Sequence, residues 1–376
     1  MMANIKWKHY INYAVILVIG VIFSILSLTG SLKLGTQILL EKVTISIILA
    51  VSLSMIVGFL GELSLGHAGF MCVGAYLGGK VATLIDLGGE SHLTIILSIL
   101  IGGIVAAVCG FIIGLPALRL RGDYLAIVTL AFGEIVRSLF LNSSPESFGS
   151  TLGLKTVKYD SKYMLIYGFV FVLIALAVIQ NIIRSKHGRA ITAIRDNEIA
   201  AKATGINVTK YKLMVFIVSA FFAGVAGVLF SHTNYTVQAK TFDYNYSIEI
   251  LVMVVLGGMG SINGSIIAAT LITFLNEQLT TMLTGELSVL KDLLYALILI
   301  LLIIYNNAPA LKNIREKYNL RNLIGKLRKH DPSKETNDQG RWDRVPTKIS
   351  MNEVLSTDIV VKESSSAKGD KGGKVE

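Results

Sequence analysis

The stretch INYAVILVIGVIFSILSLT spans residues 11–29 and contains no charged residue. It follows two lysines, Lys6 and Lys8. A signal peptide has an apolar core of roughly 7–15 residues, followed by a cleavage site of small residues. The present run is longer, and other apolar runs follow it in the chain. Because a helix needs about 20 apolar residues to cross a bilayer, the stretch predicts a first transmembrane helix.

The composition of the whole chain also indicates a membrane protein. Its 376 residues are 53% hydrophobic and only 16% charged, whereas soluble domains carry about 25% charged residues. The net charge of +10 could suggest binding to nucleic acid, but the basic residues lie in loops and in the tail, beside apolar runs. The positive-inside rule accounts for them more simply, so we expect a lipid bilayer as the partner and no nucleic acid.

Further apolar runs of about the length that a membrane span requires follow the first. Five are clear: 93–115, 124–142, 163–183, 213–231 and 289–305. Two longer regions, 43–80 and 247–283, are each long enough for two spans and are interrupted by GELSLG at 61–66 and GGMGSING at 257–264. We therefore expect an all-α fold, a polytopic transmembrane helical bundle of about ten spans with glycine-broken helices.

The basic loops predict the orientation of these spans, because short cytoplasmic loops carry an excess of Lys and Arg. The loops 116–123 and 184–212 are basic and should both be cytoplasmic. With the N-terminus inside, both loops and the C-terminus fall on the cytoplasmic side. The loop 143–162 carries three lysines and argues weakly against this topology.

The expected organisation has three parts. Residues 1–10 are a cytoplasmic N-terminus, 11–305 a transmembrane domain with its main cytoplasmic loop at 184–212, and 306–376 a basic cytoplasmic tail. After about residue 330 the tail is polar and of low hydrophobicity, which predicts that it is largely disordered.

No pattern typical of an enzyme or a metal site is present. The two cysteines, Cys72 and Cys109, sit in apolar runs and are expected to act as small hydrophobic residues. The chain has neither a HExxH zinc motif nor a GxxxxGK[ST] phosphate loop. We therefore expect no catalytic residue, no metal and no cofactor on this chain, and ATP, if it drives the protein, must bind to another chain.

The two glycine-rich interruptions suggest a translocation pathway. Short, glycine-interrupted hydrophobic segments in both halves of a chain are typical of transporter substrate paths. Close packing of helix backbones would also use glycine and remains the alternative. The pathway candidates are Gly61, Glu62, Ser64, His67, Gly69, Gly257, Gly258, Gly260, Ser261 and Asn263.

Two charged residues, Glu134 and Arg137, lie three positions apart within a predicted span. That spacing places them on one helix face, where they can form an intramembrane ion pair. A charge inside the membrane suggests a functional role, but we favour structural pairing. A secondary carrier that couples transport to an ion through Glu134 remains a distant alternative.

The stretch GRAITAIRDNEIAAKATG, residues 188–205, is polar and lies between two apolar runs. Its alanines and isoleucines favour a helix, and Gly205 suits a stop at its C-terminus. This helix is too short and too polar to span the membrane. Its small residues and mixed charge suit docking into a groove on another protein.

These residues also carry a family resemblance. GRAITAIRDNEIAAKATGI resembles the cytoplasmic coupling loop of bacterial ABC importer permeases, in particular the LivM-type branched-chain amino acid permeases. Further matching stretches are GELSLGHAGFMCVGAY at 61–76, LRGDYLAIVTLAFGEIVR at 120–137, FFAGVAGVLF at 221–230 and LGGMGSINGSIIAA at 256–269. The resemblance covers roughly residues 10–305. The general importer signature is Glu-Ala-Ala, three residues and Gly, and this chain has one extra residue between Glu198 and its alanines.

The resemblance implies a permease subunit in a bacterial cell (inner or plasma) membrane. Its partners would be a second, LivH-type permease, two ABC ATPase subunits that bind ATP and Mg, and an extracellular or periplasmic amino-acid-binding protein. The substrate would be leucine, isoleucine or valine, with urea, amides or other amino acids as alternatives. The residues implied in ATPase coupling are Arg189, Arg195, Asp196, Glu198, Ala200, Ala201 and Gly205.

Overall fold

The computed structural model describes residues 3–85, 92–120, 122–157, 159–234, 236–283, 293–297, 300 and 304. The predicted tail at 306–376, with its expected disorder, and most of the predicted span at 289–305 lie outside the described residues. The chain divides into a unit of Met1–Asn306 and a unit of Asn307–Glu376. All the structure below belongs to the first unit.

Helices make up almost all of the described structure. They are α1 (Ala3–Leu28), α2 (Leu34–Ser54), α3 (His67–Leu84), α4 (His92–Ala117), α5 (Asp123–Leu141), α6 (Pro145–Phe148), α7 (Ser161–Arg184), α8 (Lys186–Asp196), α9 (Glu198–Ala203), α10 (Val208–Thr233), α11 (Tyr244–Gly257) and α12 (Ile262–Met282). A π-helical turn, Met55–Leu60, extends α2, and two 3-10 turns occupy Ser150–Leu152 and Ala239–Thr241. Two short strands, β1 (Leu154–Lys155) and β2 (Thr236–Val237), pair antiparallel.

The predicted spans that lie among the described residues coincide with helices. Five helices in the described part of the chain are long and apolar enough to cross a membrane: Leu34–Leu60, His92–Ala117, Asp123–Leu141, Ser161–Arg184 and Val208–Thr233. Tyr13–Leu28 and Tyr244–Gly257 are shorter apolar helices. A helical membrane bundle is thus confirmed, while the count of about ten spans and the cytoplasmic position of both termini stay predictions.

The core of the bundle lies around α10, which packs against α3 and α4, while α2 packs against α7 and α12. Glycines permit these close approaches. A side chain at Gly74 on α3 would overlap the backbone of Gly224 on α10, and one at Gly227 would overlap the carbonyl of Met71. Small residues let helix backbones approach in membranes, so glycine packing carries much of this core.

Both predicted helix breaks are confirmed. The π-helical turn after α2 ends at Gly61, whose φ is +78°, and residues 61–66 form no helix before α3 begins at His67. α11 ends at Gly257, and Gly258 and Gly260 have φ of +89° and +85°. Glycine adopts such left-handed conformations without the strain that other residues meet, which explains why the helices end there.

The prediction of one continuous helix over 188–205 is wrong, because the segment forms two helices, α8 and α9. The break is at Asn197, whose backbone is extended and whose side-chain oxygen accepts a hydrogen bond from the Ala200 amide at 3.0 Å. Asparagine competes with the helix by capping the next one. The predicted stop is confirmed: α9 ends at Ala203, and Gly205 follows with φ of +85°.

Candidate functional site

α8 is an amphipathic helix that lies against one end of the bundle. Gly188, Ala190, Ile191 and Ile194 are buried, and α8 contacts α7, α10 and the π-helical turn. Ser185 begins the helix by accepting a hydrogen bond from the His187 amide at 3.1 Å. The predicted coupling residues Arg189, Arg195 and Asp196 are exposed. We call this end of the bundle, where α8 and α9 lie, the loop end.

α9 carries an exposed apolar residue, Ile199, at the loop end. Ala201 is buried and Ala200 is exposed, so only one of the two predicted alanines faces outward. Ile199 is 73% exposed, although its neighbours in the loop are mostly polar. Ile199 was not predicted as a site residue. The sequence does contain a signal for it: an isoleucine in the first turn of a short polar helix has few apolar neighbours in that helix to pack against.

Arg195 connects α8 to the first helix break. Its Nη1 donates to the carbonyl of Gly58 at 3.2 Å, and its Nε and Nη2 donate to Asp196 Oδ1 at 3.1 and 3.0 Å. A Cβ built at Gly61 would lie 2.6 Å from Cγ of Arg195. Two features therefore favour glycine at position 61: the positive φ of its backbone and the side chain of Arg195, which occupies the space of a Cβ.

Lys212 joins three segments at the loop end. Its Nζ forms an ion pair with Oε1 of Glu62, in the break after α2, and another with Oε2 of Glu198, the first residue of α9, at 3.2 Å. The Lys212 side chain is 3% exposed. Burying a charge is unfavourable unless it is paired and hydrogen-bonded, and the two carboxylates supply this pairing for Lys212. In the sequence, Lys212 is only one of the basic residues of the loop 184–212.

The second helix break packs directly on the first. A Cβ built at Gly58 would lie 2.5 Å from the Gly260 nitrogen, and a side chain at Gly257 would overlap the backbone of Gly264. Ser261 caps α12 by accepting from the Gly264 amide at 3.1 Å. The predicted pathway residues Gly61, Glu62, Gly257, Gly258, Gly260, Ser261 and Asn263 thus gather at the loop end, where a cavity of about 220 Å³ includes Gly260, Ser261 and Asn263.

The remaining pathway candidates, Ser64, His67 and Gly69, lie elsewhere, at the start of α3 inside the bundle. Ser64 and His67 are fully buried, and His67 Nε2 is 2.8 Å from Ser52 Oγ. A Cβ built at Gly69 would lie 2.7 Å from Cα of Gly133 on α5. These contacts fix the start of α3 against α2 and α5. The structure therefore divides the predicted pathway residues into two groups.

Glu134 and Arg137 form an ion pair, with Nη2 and Oε2 2.7 Å apart. The other carboxylate oxygen of Glu134 accepts a hydrogen bond from the Tyr244 amide at 3.1 Å. Tyr244 is the first residue of α11, and a negative charge stabilises a helix N-terminus. The pair thus connects α5 to the start of α11.

Three charged residues inside helices were missed by the sequence analysis. Lys42 on α2 pairs with Glu277 on α12 at 2.8 Å. Glu249 lies within α11 and accepts from Asn276 Nδ2 at 3.2 Å and from the Tyr295 hydroxyl at 3.0 Å. The signal that could have found them is a charged residue within an otherwise apolar run.

Comparison with known proteins identifies the family of this chain. Residues 35–304 match the family described as branched-chain amino acid transport system / permease component. The chain is 36% identical over 306 residues to LivM of Salmonella typhimurium, a high-affinity branched-chain amino acid transport system permease protein, covering 73% of this chain and 69% of the relative.

Two further relatives extend the comparison. LivM of Escherichia coli is 32% identical over 355 residues, covering 86% of this chain and 79% of the relative. The ribose import permease protein RbsC of Escherichia coli is 26% identical over 290 residues, covering 72% and 84%. No solved structure matches the chain. With more than two thirds of its length matched, the chain belongs to the permease family of branched-chain amino acid transport systems.

Proposed function

We propose that this chain is the permease subunit of an ABC importer for branched-chain amino acids. It would pair with a second, LivH-type permease to form the pathway across a bacterial inner or plasma membrane. Two ATPase subunits would bind ATP and Mg and drive transport, and an extracellular or periplasmic binding protein would deliver the substrate. The observation that carries the proposal is the exposed α8–α9 segment. Arg195 and Lys212 bond this segment to the first helix break, which packs against the second break.

The surface of α8 and α9 supports an ATPase docking site. It combines the exposed charges of Arg189, Arg195 and Asp196 with the exposed Ile199. An apolar anchor surrounded by polar groups is typical of the centre of a protein interface. Gly205, at the end of the segment, has a left-handed backbone and nothing within 4 Å of the position of a Cβ, which leaves room for a partner to approach.

The contacts below this surface support a route for coupling. Arg195 holds the Gly58 carbonyl, and Lys212 holds Glu62 and Glu198 together. A displacement of α8 and α9 would therefore act on residues 58–62 and, through the contact of Gly58 with Gly260, on the start of α12. Packed cores respond to such displacements by switching between discrete arrangements. Closure of the ATPases would in this way change access to the pathway.

The choice of substrate rests on the relatives. The two LivM proteins, at 36% and 32% identity, are described as branched-chain amino acid permeases, whereas the ribose permease is 26% identical. Leucine, isoleucine and valine are therefore the substrates that we propose. Urea, amides and other amino acids, and ribose after the more distant relative, are the competing substrates to test.

Purification and reconstitution test the proposal. We expect gentle solubilisation of native membranes to recover this chain with a second permease and two ATP-binding subunits, identified by mass spectrometry. When the binding protein is added to proteoliposomes that contain the importer, ATP should drive uptake of labelled leucine but not of ribose. Recovery of the chain as a self-oligomer, or leucine uptake that needs an ion gradient and no ATP, would contradict the proposal and favour a secondary carrier.

A further inference from the structure

A second cavity, of about 280 Å³, lies between α2, α11 and α12. We call it the distal cavity, and its lining includes Lys42, Ile45, Phe230, Glu249, Thr273 and Glu277. Lys42 precedes Gly58 by 16 residues along α2 and its π-helical extension, which is about 24 Å at 1.5 Å per residue. The distal cavity therefore lies in the half of α2 that is remote from the loop end.

One wall of the distal cavity carries an ion pair that can be reached from outside. Lys42 Nζ lies 2.9 and 2.8 Å from the two carboxylate oxygens of Glu277. A lysine ammonium has three donors, so two bonds to Glu277 leave one donor for another acceptor. The side chains of Lys42 and Glu277 are 34% and 33% exposed, and a small molecule can therefore approach both charges.

The adjoining wall holds a carboxylate and a hydroxyl. Glu249 is kept in place by hydrogen bonds from Asn276 and Tyr295. Thr273 is buried, and its Oγ1 has no hydrogen-bond partner among the described residues. This oxygen is closed off from the cavity, so Glu249 is the polar group of this wall that a ligand can approach.

The rest of the lining is apolar. Ile45, Phe230 and Met253 face the same space. Binding sites for small molecules typically combine apolar walls with a few convergent polar groups. The distal cavity therefore joins one cation and two carboxylates to a surface that suits an aliphatic side chain. Charged residues within membrane helices are unfavourable unless they have a role.

We infer that the distal cavity is a subsite for an aliphatic amino acid in its zwitterionic form. The carboxylate of the ligand accepts from Lys42, its ammonium donates to Glu249 or Glu277, and its side chain lies against Ile45, Phe230 and Met253. This inference rests on the proposed importer function and deepens it, because it places a contact for the substrate in the half of α2 that is remote from the ATPase docking segment.

The test is uptake of labelled leucine, per ATP hydrolysed, in proteoliposomes containing the whole importer and its binding protein. Glu249→Gln removes the charge and keeps the size and the acceptor of the side chain, and Lys42→Met removes the cation. Each should lower leucine uptake per ATP at least tenfold. Asp123→Asn, the same change of carboxylate to amide at an exposed residue outside the cavity, is the matched control and should leave uptake unchanged.

One further variant keeps the inference testable if a charge removal prevents assembly. The double variant Lys42→Glu with Glu277→Lys preserves an ion pair but moves its cation to another helix. We expect this double variant to assemble, with its melting temperature close to that of the wild type, and to transport poorly.

The outcomes separate this inference from the proposed function. A wild-type importer that takes up no leucine would contradict the proposed function itself. Uptake by the wild type that persists unchanged in an assembled Glu249→Gln or Lys42→Met variant would overturn the subsite. Full uptake by the double variant would likewise overturn it, because the ion pair would then serve only to hold α2 and α12 together.

Discussion

Lys212 and Glu62 form a buried ion pair although they are 150 residues apart in the sequence. The pair fastens the start of α10 to the break between α2 and α3. Glu198 completes it from α9, so a single ammonium group holds together the docking segment, the break and a central helix. The charge of Lys212 also keeps two carboxylates close together that would otherwise repel each other.

Replacing Lys212 with methionine should therefore destabilise the protein and uncouple it. The change leaves Glu62 and Glu198 facing each other without a cation, and removing one partner of a buried pair costs about 3–5 kcal/mol. We expect a value near the lower limit, because Glu198 is 30% exposed. The measurements are the melting temperature of the detergent-solubilised importer and the ratio of leucine uptake to ATP hydrolysis.

Lys210→Met is the matched control for Lys212→Met, since Lys210 is an exposed lysine on the same helix. It should leave both the melting temperature and the uptake ratio close to wild-type values. Equal behaviour of the two variants would show that the position of Lys212 between two carboxylates has no consequence for coupling.

Gly61→Ala should disturb the break beside the docking segment. A residue with a side chain is strained at the φ of +78° observed here, at roughly 1–2 kcal/mol, and the new Cβ would also collide with Cγ of Arg195. The expected result is a lower melting temperature and reduced leucine uptake per ATP hydrolysed in proteoliposomes.

Gly35→Ala provides the comparison for Gly61→Ala. Gly35 lies in the first turn of α2, and nothing lies within 4 Å of a Cβ built there. Alanine is the better helix former by about 1 kcal/mol, so this variant should be as stable as the wild type or more stable. If Gly61→Ala also proves neutral, the left-handed turn and the contact with Arg195 do not constrain the break.

Ile199→Ser should weaken the attachment of the ATPase subunits without unfolding the permease. Ile199 is 73% exposed, so its loss removes little packing within this chain, whereas truncation of a hot-spot residue in an interface costs about 2 kcal/mol or more. Co-purification of the ATPase subunits should fall at least tenfold at low concentration. Leu152→Ser, a change at another highly exposed apolar residue, should leave co-purification intact, and equal retention in both variants would exclude Ile199 from the interface.

The helix breaks could be predicted from the sequence, whereas the partners of the buried charges could not. Glycine acts locally: Gly61, Gly258 and Gly260 end helices where they stand because their backbones are left-handed. The bonds of Lys212 and Lys42 join residues 150 and 235 positions apart, and no local pattern encodes such pairing. The division of 188–205 into two helices was not predicted, although its cause is local. The capping side chain of Asn197 competes with helix propensity over only a few residues.

Glu134→Gln separates an ATP-driven importer from an ion-coupled carrier. Glutamine keeps an acceptor for the Tyr244 amide and cannot exchange a proton in a transport cycle. In the importer that we propose, ATP-driven leucine uptake by this variant should remain within about threefold of the wild type after the proton and sodium gradients are dissipated. The reason is that both side chains of the ion pair are about 30% exposed, so its removal costs on the order of 1 kcal/mol. Loss of all uptake in a variant with normal assembly would instead support a role for Glu134 in ion coupling.

Arg137→Ala should destabilise the protein more than Arg119→Ala. Arg137 donates through Nε and Nη2 to one oxygen of Glu134, and its loss removes a cation that holds the carboxylate against the start of α11. Hydrogen bonds to charged groups contribute roughly 1.5–3 kcal/mol, and the partial exposure of the pair lowers the expected difference to about 1 kcal/mol. Arg119 is exposed and tests the loss of an arginine as such. Because Glu134 would keep its bond to the Tyr244 amide, the difference should appear as a small shift of the melting temperature. Equal melting temperatures of the two variants would mean that α11 is positioned by its packing and not by this ion pair.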